Sequence, residues 1–553
     1  MLQRFRPRLL DCLPGYRAAD LAADAGAGIT VGLVALPLAM AFAIGSGVKP
    51  EAGIVTAIIA GFIIAALGGS KVQIGGPAGA FIVIIYGIIQ QYGLANLLLS
   101  TMMAGILMFL MGLTGLGNLI RFIPVAIVIG FTNGIAVLIG IAQIKDFLGL
   151  PITTMPAEFF AQSRLIAQHL PDFSLPTLAL SSACLLLIVL WPKSFSAQRS
   201  RWLRLLSRLP GTIVALVLAT LAARLLELPI ETIGSRFGGI PQSLPALAWP
   251  EFHWASARNL VAPTITIALL GAIESLLCAR VADSMMHDRH NPNQELMAQG
   301  LANLLTPLLG GIPATGTIAR TTTNVRCGAR TPIAGIIHCL TLLAVVLIAA
   351  PLAADVPLAA LAAILVYVAW NMGEWRAFPR LAHFSNHYRL VMLSTFFLTV
   401  VFDLTIAVEV GMVLASLLFI YRVSDLTRLE PLALDPAQQG LPQRRVVAYS
   451  LFGSLFFGAV GKLELLMQDK HDQVAVVVLE MHQMINLDST GLDTLETLHH
   501  SLHAEGRHLV LAGLNPQPLS LLRRSGFDKT LGEDKLAPDL AHALVRANQL
   551  ARN

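Results

Sequence analysis

Two ionisable side chains stand where long apolar runs would admit neither: Glu274 and Arg320, within the stretch from Gly271 to Gly335. A charge inside a bilayer costs about 2.5 kcal/mol or more, so such a residue marks a functional site by default. Between the two lies Gly310-Gly311-Ile312-Pro313-Ala314-Thr315-Gly316. This run holds too much Gly and Pro for a continuous helix, and the helix-compatible run Thr317 to Val325 follows it. A helix is therefore predicted to begin inside the membrane. Its first turn offers unpaired N–H groups and the positive end of the dipole, and Arg320 adds a full charge. That chemistry suits an anion.

A second interruption matches the first. Gln73-Ile74-Gly75-Gly76-Pro77-Ala78-Gly79-Ala80-Phe81 occupies in the first half of the chain the place that Gly311 to Gly316 holds in the second. Paired Gly/Pro-broken segments at corresponding positions point to a transporter site between inverted repeats. Gly and Pro also serve close helix packing, which is the competing reading of either segment taken alone.

The elements that must position these residues follow from composition. The chain has 553 residues and is 55% hydrophobic and 13% charged, with a mean hydropathy of +0.69. These values exclude an ordinary soluble enzyme and define a polytopic membrane protein. Of 71 charged residues, 28 fall in positions 422–553 and 43 in the preceding 421, so a soluble domain follows the membrane part. The N-terminal segment with Arg4, Arg6, Arg8 and Arg17 lacks the apolar core of a signal peptide. Cys12, Cys184, Cys278, Cys327 and Cys339 show no paired metal spacing and read as structural. The net charge of +5 calls for no nucleic acid, because basic loops beside membrane helices are expected on the cytoplasmic side.

Apolar spans are predicted at 29–48 and 52–70, twice between Lys71 and Arg121, and at 122–144, 173–192 and 209–223. The second half adds 259–279, 296–309, the broken Thr317 stretch, 331–350, 356–369, 390–402 and 404–421, making fourteen. With a cytoplasmic N-terminus, the inside loops hold Lys71, Arg121, the Lys193 to Arg208 cluster, Arg280, Arg289, Arg326, Arg330, Arg376, Arg380 and Arg389. The outside turns hold Asp355, Asp403 and Glu409, with Lys49 and Lys145 the exceptions. Both termini are thus expected in the cytoplasm. Glu274 is the only acid that this reading places well inside an apolar span.

The chain resembles the sulfate permease (SulP) family of anion transporters from Asp24-Ala25-Gly26-Ala27-Gly28-Ile29-Thr30 to its end. The resemblance is most specific in residues 274–335 and in Gly130 to Gly149. Ile44 to Val48 and Gly271 to Ala279 are similar to the branch containing bacterial C4-dicarboxylate transporters. The resemblance implies a core and a gate domain built from two inverted seven-helix repeats, about 21–228 and 255–422, within a transmembrane domain at 21–425 after a cytoplasmic segment at 1–20. It implies a homodimer in the bacterial cytoplasmic membrane. It places the anion between the third and tenth helix N-termini, against the first and eighth helices. The implied substrate-binding residues are Phe42, Gly76, Pro77, Ala78, Gly79, Glu274, Thr317, Ala319, Arg320 and Thr321. Proton-coupled relatives often carry a glutamate after the first-helix proline, whereas Leu38 follows Pro37 here. A coupling proton then falls to Glu274.

After residue 440 the texture is α/β. Strands are predicted at 446–457, 474–479 and 508–514, and helices at 459–467, 491–504, 518–525 and 536–551. Asn486-Leu487-Asp488-Ser489-Thr490-Gly491-Leu492 resembles the signature of STAS domains. In signalling relatives the serine matching Ser489 is phosphorylated, which implies a regulatory site and a cytoplasmic protein partner. The bland alternative is that Asp488 or Ser489 caps the next helix. His287 and His290, with Asp283 and Asp288, lack the i,i+4 spacing of a metal helix, and no phosphate loop for ATP occurs. The leading function is therefore secondary active transport of small anions, namely proton-coupled symport of C4-dicarboxylates such as succinate or fumarate, with sulfate or bicarbonate transport or exchange as the alternative. A membrane-anchored STAS signalling protein would need neither Glu274 nor Arg320. An intramembrane enzyme lacks a nucleophile–base set. A nucleobase permease of the same general fold would leave Arg320 without an anionic partner. No cofactor is implied.

Overall fold

The computed structural model describes residues 5–118, 124–152, 155–156, 158–192, 210–239, 245–250, 258–402, 404–434, 446–463 and 474–552. Arg121, the cluster from Lys193 to Arg208, Asp403 and residues 464–467 of the expected helix at 459–467 lie outside this set. The chain divides into two units, 1–412 and 413–553.

In the first half, α1 (Ala18–Gly45), α2 (Pro50–Leu67), α3 (Phe81–Tyr92), α4 (Leu94–Leu113), α5 (Val125–Leu148), α6 (Leu175–Leu190) and α7 (Gly211–Leu225) follow one another. The second half repeats the series as α8 (Val261–Met286), α9 (Pro292–Leu305), α10 (Ile318–Arg326), α11 (Ile333–Ala353), α12 (Leu358–Met372), α13 (Asn386–Val401) and α14 (Leu404–Leu426). Each expected segment overlaps one of these helices. The third helix of each series follows a two-residue strand, β1 (Gly75–Gly76) or β2 (Thr315–Gly316). Among the described residues, six helical spans are long and apolar enough to cross a bilayer unaided. The third and tenth helices are short because Gly and Pro occupy the membrane depth that a full helix would fill. The longest helix that was not foreseen, Phe159–His169, lies in the connector after α5 and meets α6 at a bend of 115°, and short helices at Arg8–Cys12, Ile233–Phe237 and Ala377–Arg380 were not expected either.

Packing sorts the membrane helices into two groups. Helices α1, α2 and α4 pack with α8, α9 and α11, while α5 packs with α6, α12 and α13. Small residues allow the close approaches. A Cβ on Gly28 would sit 2.5 Å from the Ala334 carbonyl of α11, and one on Gly130 would sit 2.6 Å from the Met392 carbonyl of α13. In lipid, where tails are as apolar as leucine, such backbone proximity supplies much of the helix association. Several element ends are joined by ion pairs. Asp288 meets Lys71 at 3.0 Å and Arg8 at 3.2 Å, and Arg330 meets Asp20 at 2.7 Å. Asp355, expected on the opposite side, meets Arg224 instead.

In the second unit, β3 (Arg428–Pro431), β4 (Val446–Leu455), β5 (Val476–Glu480), β7 (His508–Ala512) and β8 (Leu536–Ala537) form one sheet in that order, and β6 (Met484–Leu487) pairs with β4. All pairings are parallel except β3 with β4. Helices α15 (Ser489–Ala504), α16 (Pro516–Ser525), α17 (Phe527–Leu531) and α18 (Leu540–Arg552) complete the unit. Side chains from β5 and β7 bury against α15 to α17 on one face and against α18 on the other. Strands buried on both faces read as continuous apolar runs, which is why Val476 to Leu479 was legible. Strands β3 and β6 were not foreseen, being four residues each and mixed in polarity, and the predicted helix at 536–551 begins instead at Leu540, after the two-residue strand β8.

Candidate anion site

The two broken segments meet. β1 and β2 pair antiparallel, Gly75 opposite Gly316 and Gly76 opposite Thr315. The pairing satisfies backbone groups at a depth where water cannot. The threonines of α10 extend the clamp, since the Thr317 N–H and hydroxyl both donate to the Ile74 carbonyl at 2.9 Å. The Ile74 N–H in turn donates to the Thr321 hydroxyl at 2.9 Å, and the Cys278 thiol donates to the same hydroxyl at 3.2 Å. Thr317 and Thr321 thus hold the first broken segment with their side chains, and the first turn of a helix such as α10 offers unpaired N–H groups of the kind that suit an anion.

Arg320 lies in that first turn and is 2% exposed. Its Nη2 donates to the Pro77 carbonyl at 3.4 Å, a long contact, while Nε and Nη1 have no partner. Among the described residues no carboxylate forms an ion pair with it. Its guanidinium carbon lies 5.9 Å from the centre of the Phe42 ring, at the outer reach of a cation–π contact. A buried guanidinium with two idle donors and no counter-charge is strongly disfavoured unless an anion completes it.

Gly76 makes room for this group. Its φ of +151° is one that L side chains rarely adopt, and a Cβ there would stand 2.7 Å from Arg320 Nη1. Gly79 lies near Phe42, where an added Cβ would make an ordinary 3.6 Å contact with the ring. Ala78 is buried, whereas Ala319 is exposed. Glu274 lies on α8 one turn beyond Gly271, whose carbonyl accepts from the Thr315 hydroxyl at 2.9 Å. Its side chain is half-buried, and no described residue hydrogen-bonds or ion-pairs with it. The structure therefore brings Phe42, Gly76, Pro77 and Arg320 together, with Glu274 on the adjoining helix.

Besides Glu274, which the sequence places well inside an apolar span, the helical unit buries two acids near helix starts. Glu295 on α9 and Asp24 on α1 are both 0% exposed. Asp24 accepts from Arg330 N, Thr331 N, the Thr331 hydroxyl and the Tyr16 hydroxyl. Asn291, Asn293 and Gln294 precede Glu295 and depress local hydropathy, so the predicted ninth span begins one residue later, at Leu296. The usable signal was Glu295 and Gln299 at i,i+4. His290 pairs with Asp283 at 2.6 Å, which accounts for two of the loop residues weighed above as metal ligands.

In the second unit Asp488 caps α15 by accepting from Gly491 N at 2.8 Å, which leaves Ser489 exposed at the first helical position.

A membrane helix bundle with two matched, broken helices meeting over an uncompensated arginine defines an anion transporter built on paired repeats. This chain belongs to the sulfate permease family, which it matches over residues 21–395, and residues 442–543 match the STAS domain. It is 40% identical to a Bacillus subtilis protein with the provisional name sulfate transporter YvdB, over 94% of this chain and 96% of that one. It is 30% identical to the bicarbonate transporter BicA of Synechocystis sp., over 96% of this chain and 94% of that one. Among solved structures, the transmembrane domain of a cyanobacterial bicarbonate transporter BicA matches 71% of this chain and 98% of its own length, at 31% identity and a TM-score of 0.63. The murine Solute Carrier 26 family member A9 anion transporter shares the fold over 98% of this chain and 94% of its own, with a TM-score of 0.84 at 17% identity.

Proposed function

We propose that this protein is a secondary active transporter of small oxyanions across the bacterial cytoplasmic membrane, and that the idle donors of buried Arg320 bind the substrate. That unpaired guanidinium carries the reading. The names of the relatives favour sulfate or bicarbonate as substrate. A C4-dicarboxylate remains the second reading, supported by the sequence likeness of residues 44–48 and 271–279 alone. Glu274 is the residue for proton coupling, because its side chain is half-buried with no partner among the described residues, one turn beyond the Gly271 carbonyl that accepts from Thr315 of β2. The alternation of basic and acidic loops supports cytoplasmic termini, Ser489 is a regulatory position open to a cytoplasmic protein partner, and the working assembly is a homodimer.

The deciding experiment is uptake of labelled sulfate, bicarbonate, succinate and fumarate into proteoliposomes under an imposed pH gradient, with Arg320→Ala alongside. Charge-assisted hydrogen bonds are worth about 1.5–3 kcal/mol each. Losing one or two should weaken anion binding by at least about tenfold. Unchanged affinity in a folded Arg320→Ala protein would overturn the assignment.

A further inference from the structure

Behind the anion site runs a chain of buried polar contacts that no transport role has yet used. It starts at Glu295, wholly buried near the start of α9. One carboxylate oxygen accepts from the N–H groups of Gly69 at 2.8 Å and Ser70 at 3.2 Å, in the turn between α2 and β1. The other accepts from Gln299 Nε2 at 3.3 Å and from the Ser275 hydroxyl at 3.4 Å. Ser275 follows Glu274 on α8, and its Oγ accepts from Gln73 Nε2 at 2.9 Å. Gln73 leads directly into Ile74 and β1, and its amide packs so tightly on Gly316 that a Cβ there would collide with it.

The glycines of the turn fit the same arrangement. A Cβ on Gly68 would lie 2.9 Å from Glu295 Oε2, and one on Gly69 would run into the Asn291 carbonyl that precedes α9. The carboxylate thus touches the turn before the first broken segment, the α8 residue beside Glu274 and, through Gln73, the last residue of β2 before Thr317. These are the three elements that set where Arg320 and Glu274 stand. A polar network in a low-dielectric interior holds its members in one geometry when each is satisfied, and destabilises that geometry when a link is cut.

We propose that Glu295 is a positioning residue for anion binding, acting through Ser275 and Gln73 to hold the two broken segments in register. It does not touch the substrate. The inference rests on the anion-site reading above.

The test is a double-mutant cycle on anion affinity in the purified full chain, with sulfate and bicarbonate as probes. Glu295→Gln keeps the size and can still accept from Gly69, but its amide replaces the oxygen that serves Ser275 or the one that serves the turn. We expect it to raise the dissociation constant about tenfold, with a higher KM and a smaller change in maximal rate. Gln73→Ala and Ser275→Ala should each do the same. Glu295→Gln placed on Gln73→Ala should add less than about twofold, because both cut one chain of contacts. Independent, multiplicative effects would overturn the proposal, as would wild-type affinity in folded Ser275→Ala. A purely packing role would lower the unfolding temperature of these variants without moving KM, which would also overturn it. If Glu295→Gln does not fold, the Gln73 and Ser275 variants carry the test by themselves. Failure of the wild-type protein to bind either anion would refute the anion reading, whereas binding by wild type with no coupling would refute this inference alone.

Discussion

Replacing Gly76 with alanine should weaken anion binding while leaving both broken segments in place. The added Cβ would stand 2.7 Å from Arg320 Nη1 and 3.4 Å from the Ala57 Cα. The second contact is tolerable, but the first is not, and an ordinary separation requires the guanidinium to retreat by about 1 Å. Charge-assisted N–H···O bonds work near about 2.8 Å, so that retreat costs the better part of one bond to the anion, about 1.5–3 kcal/mol. The dissociation constant should rise by roughly 10- to 150-fold. The backbone strain of a side chain at φ +151° is separate. It burdens the bound and empty protein alike and should show as about 1–3 kcal/mol of lost stability. Isothermal titration with sulfate or bicarbonate reads the first effect and thermal unfolding in detergent reads the second. Gly79→Ala is the matched comparison, because its Cβ makes only contacts of 3.6 Å or longer and has no positive φ to violate. An affinity for Gly76→Ala within about threefold of wild type would refute the placement of Arg320 at the anion.

Other perturbations address the remaining parts. Glu274→Gln should retain anion binding and exchange but lose accumulation driven by a pH gradient; gradient-driven uptake at the wild-type level in proteoliposomes would remove Glu274 from the coupling step. Asp24→Ala strands the buried donors of Thr331 and the partly buried N–H of Arg330, so stability should fall by about 3 kcal/mol, given about 1–3 kcal/mol per orphaned donor. An unfolding temperature equal to wild type would contradict this. In the STAS domain, burial, and next the nearby charge of Lys535, holds the His499 and His508 imidazoles below the usual histidine range. The unfolded chain then takes up protons first, so stability is full at higher pH and declines as pH falls through about 6.5. Proteolysis of this domain in the full chain should quicken below that pH and respond less in His499→Gln; cleavage independent of pH would exclude the effect.

Much of the molecule could be read from residue order because its signals are local. Apolar runs of bilayer length, and the Gly and Pro that interrupt two of them, marked where most helices begin and end to within a few residues, apart from α1 and α8, which run further at one end, and α3 and α4, which the sequence places only between Lys71 and Arg121. They do so because a backbone in lipid must satisfy its own hydrogen bonds. Arg320 was legible for the same reason: a full charge among apolar neighbours stands out in any window. The Val476 to Leu479 and His508 to Ala512 strands announced themselves as runs buried on both faces. What residue order could not supply was partnership across distance. Gly75 meets Gly316, Ile74 meets Thr321, and Gln73 reaches Glu295 through Ser275, each across two hundred residues or more. No local pattern encodes such pairings, since they exist only once the two halves of the chain have packed. Glu295 shows the cost of local reading most directly. Polar neighbours placed it one residue outside a predicted span, while in the fold that neighbourhood is the buried start of a helix. The idleness of the Arg320 donors is likewise a tertiary fact, because only the assembled bundle determines which carboxylates come near and which do not.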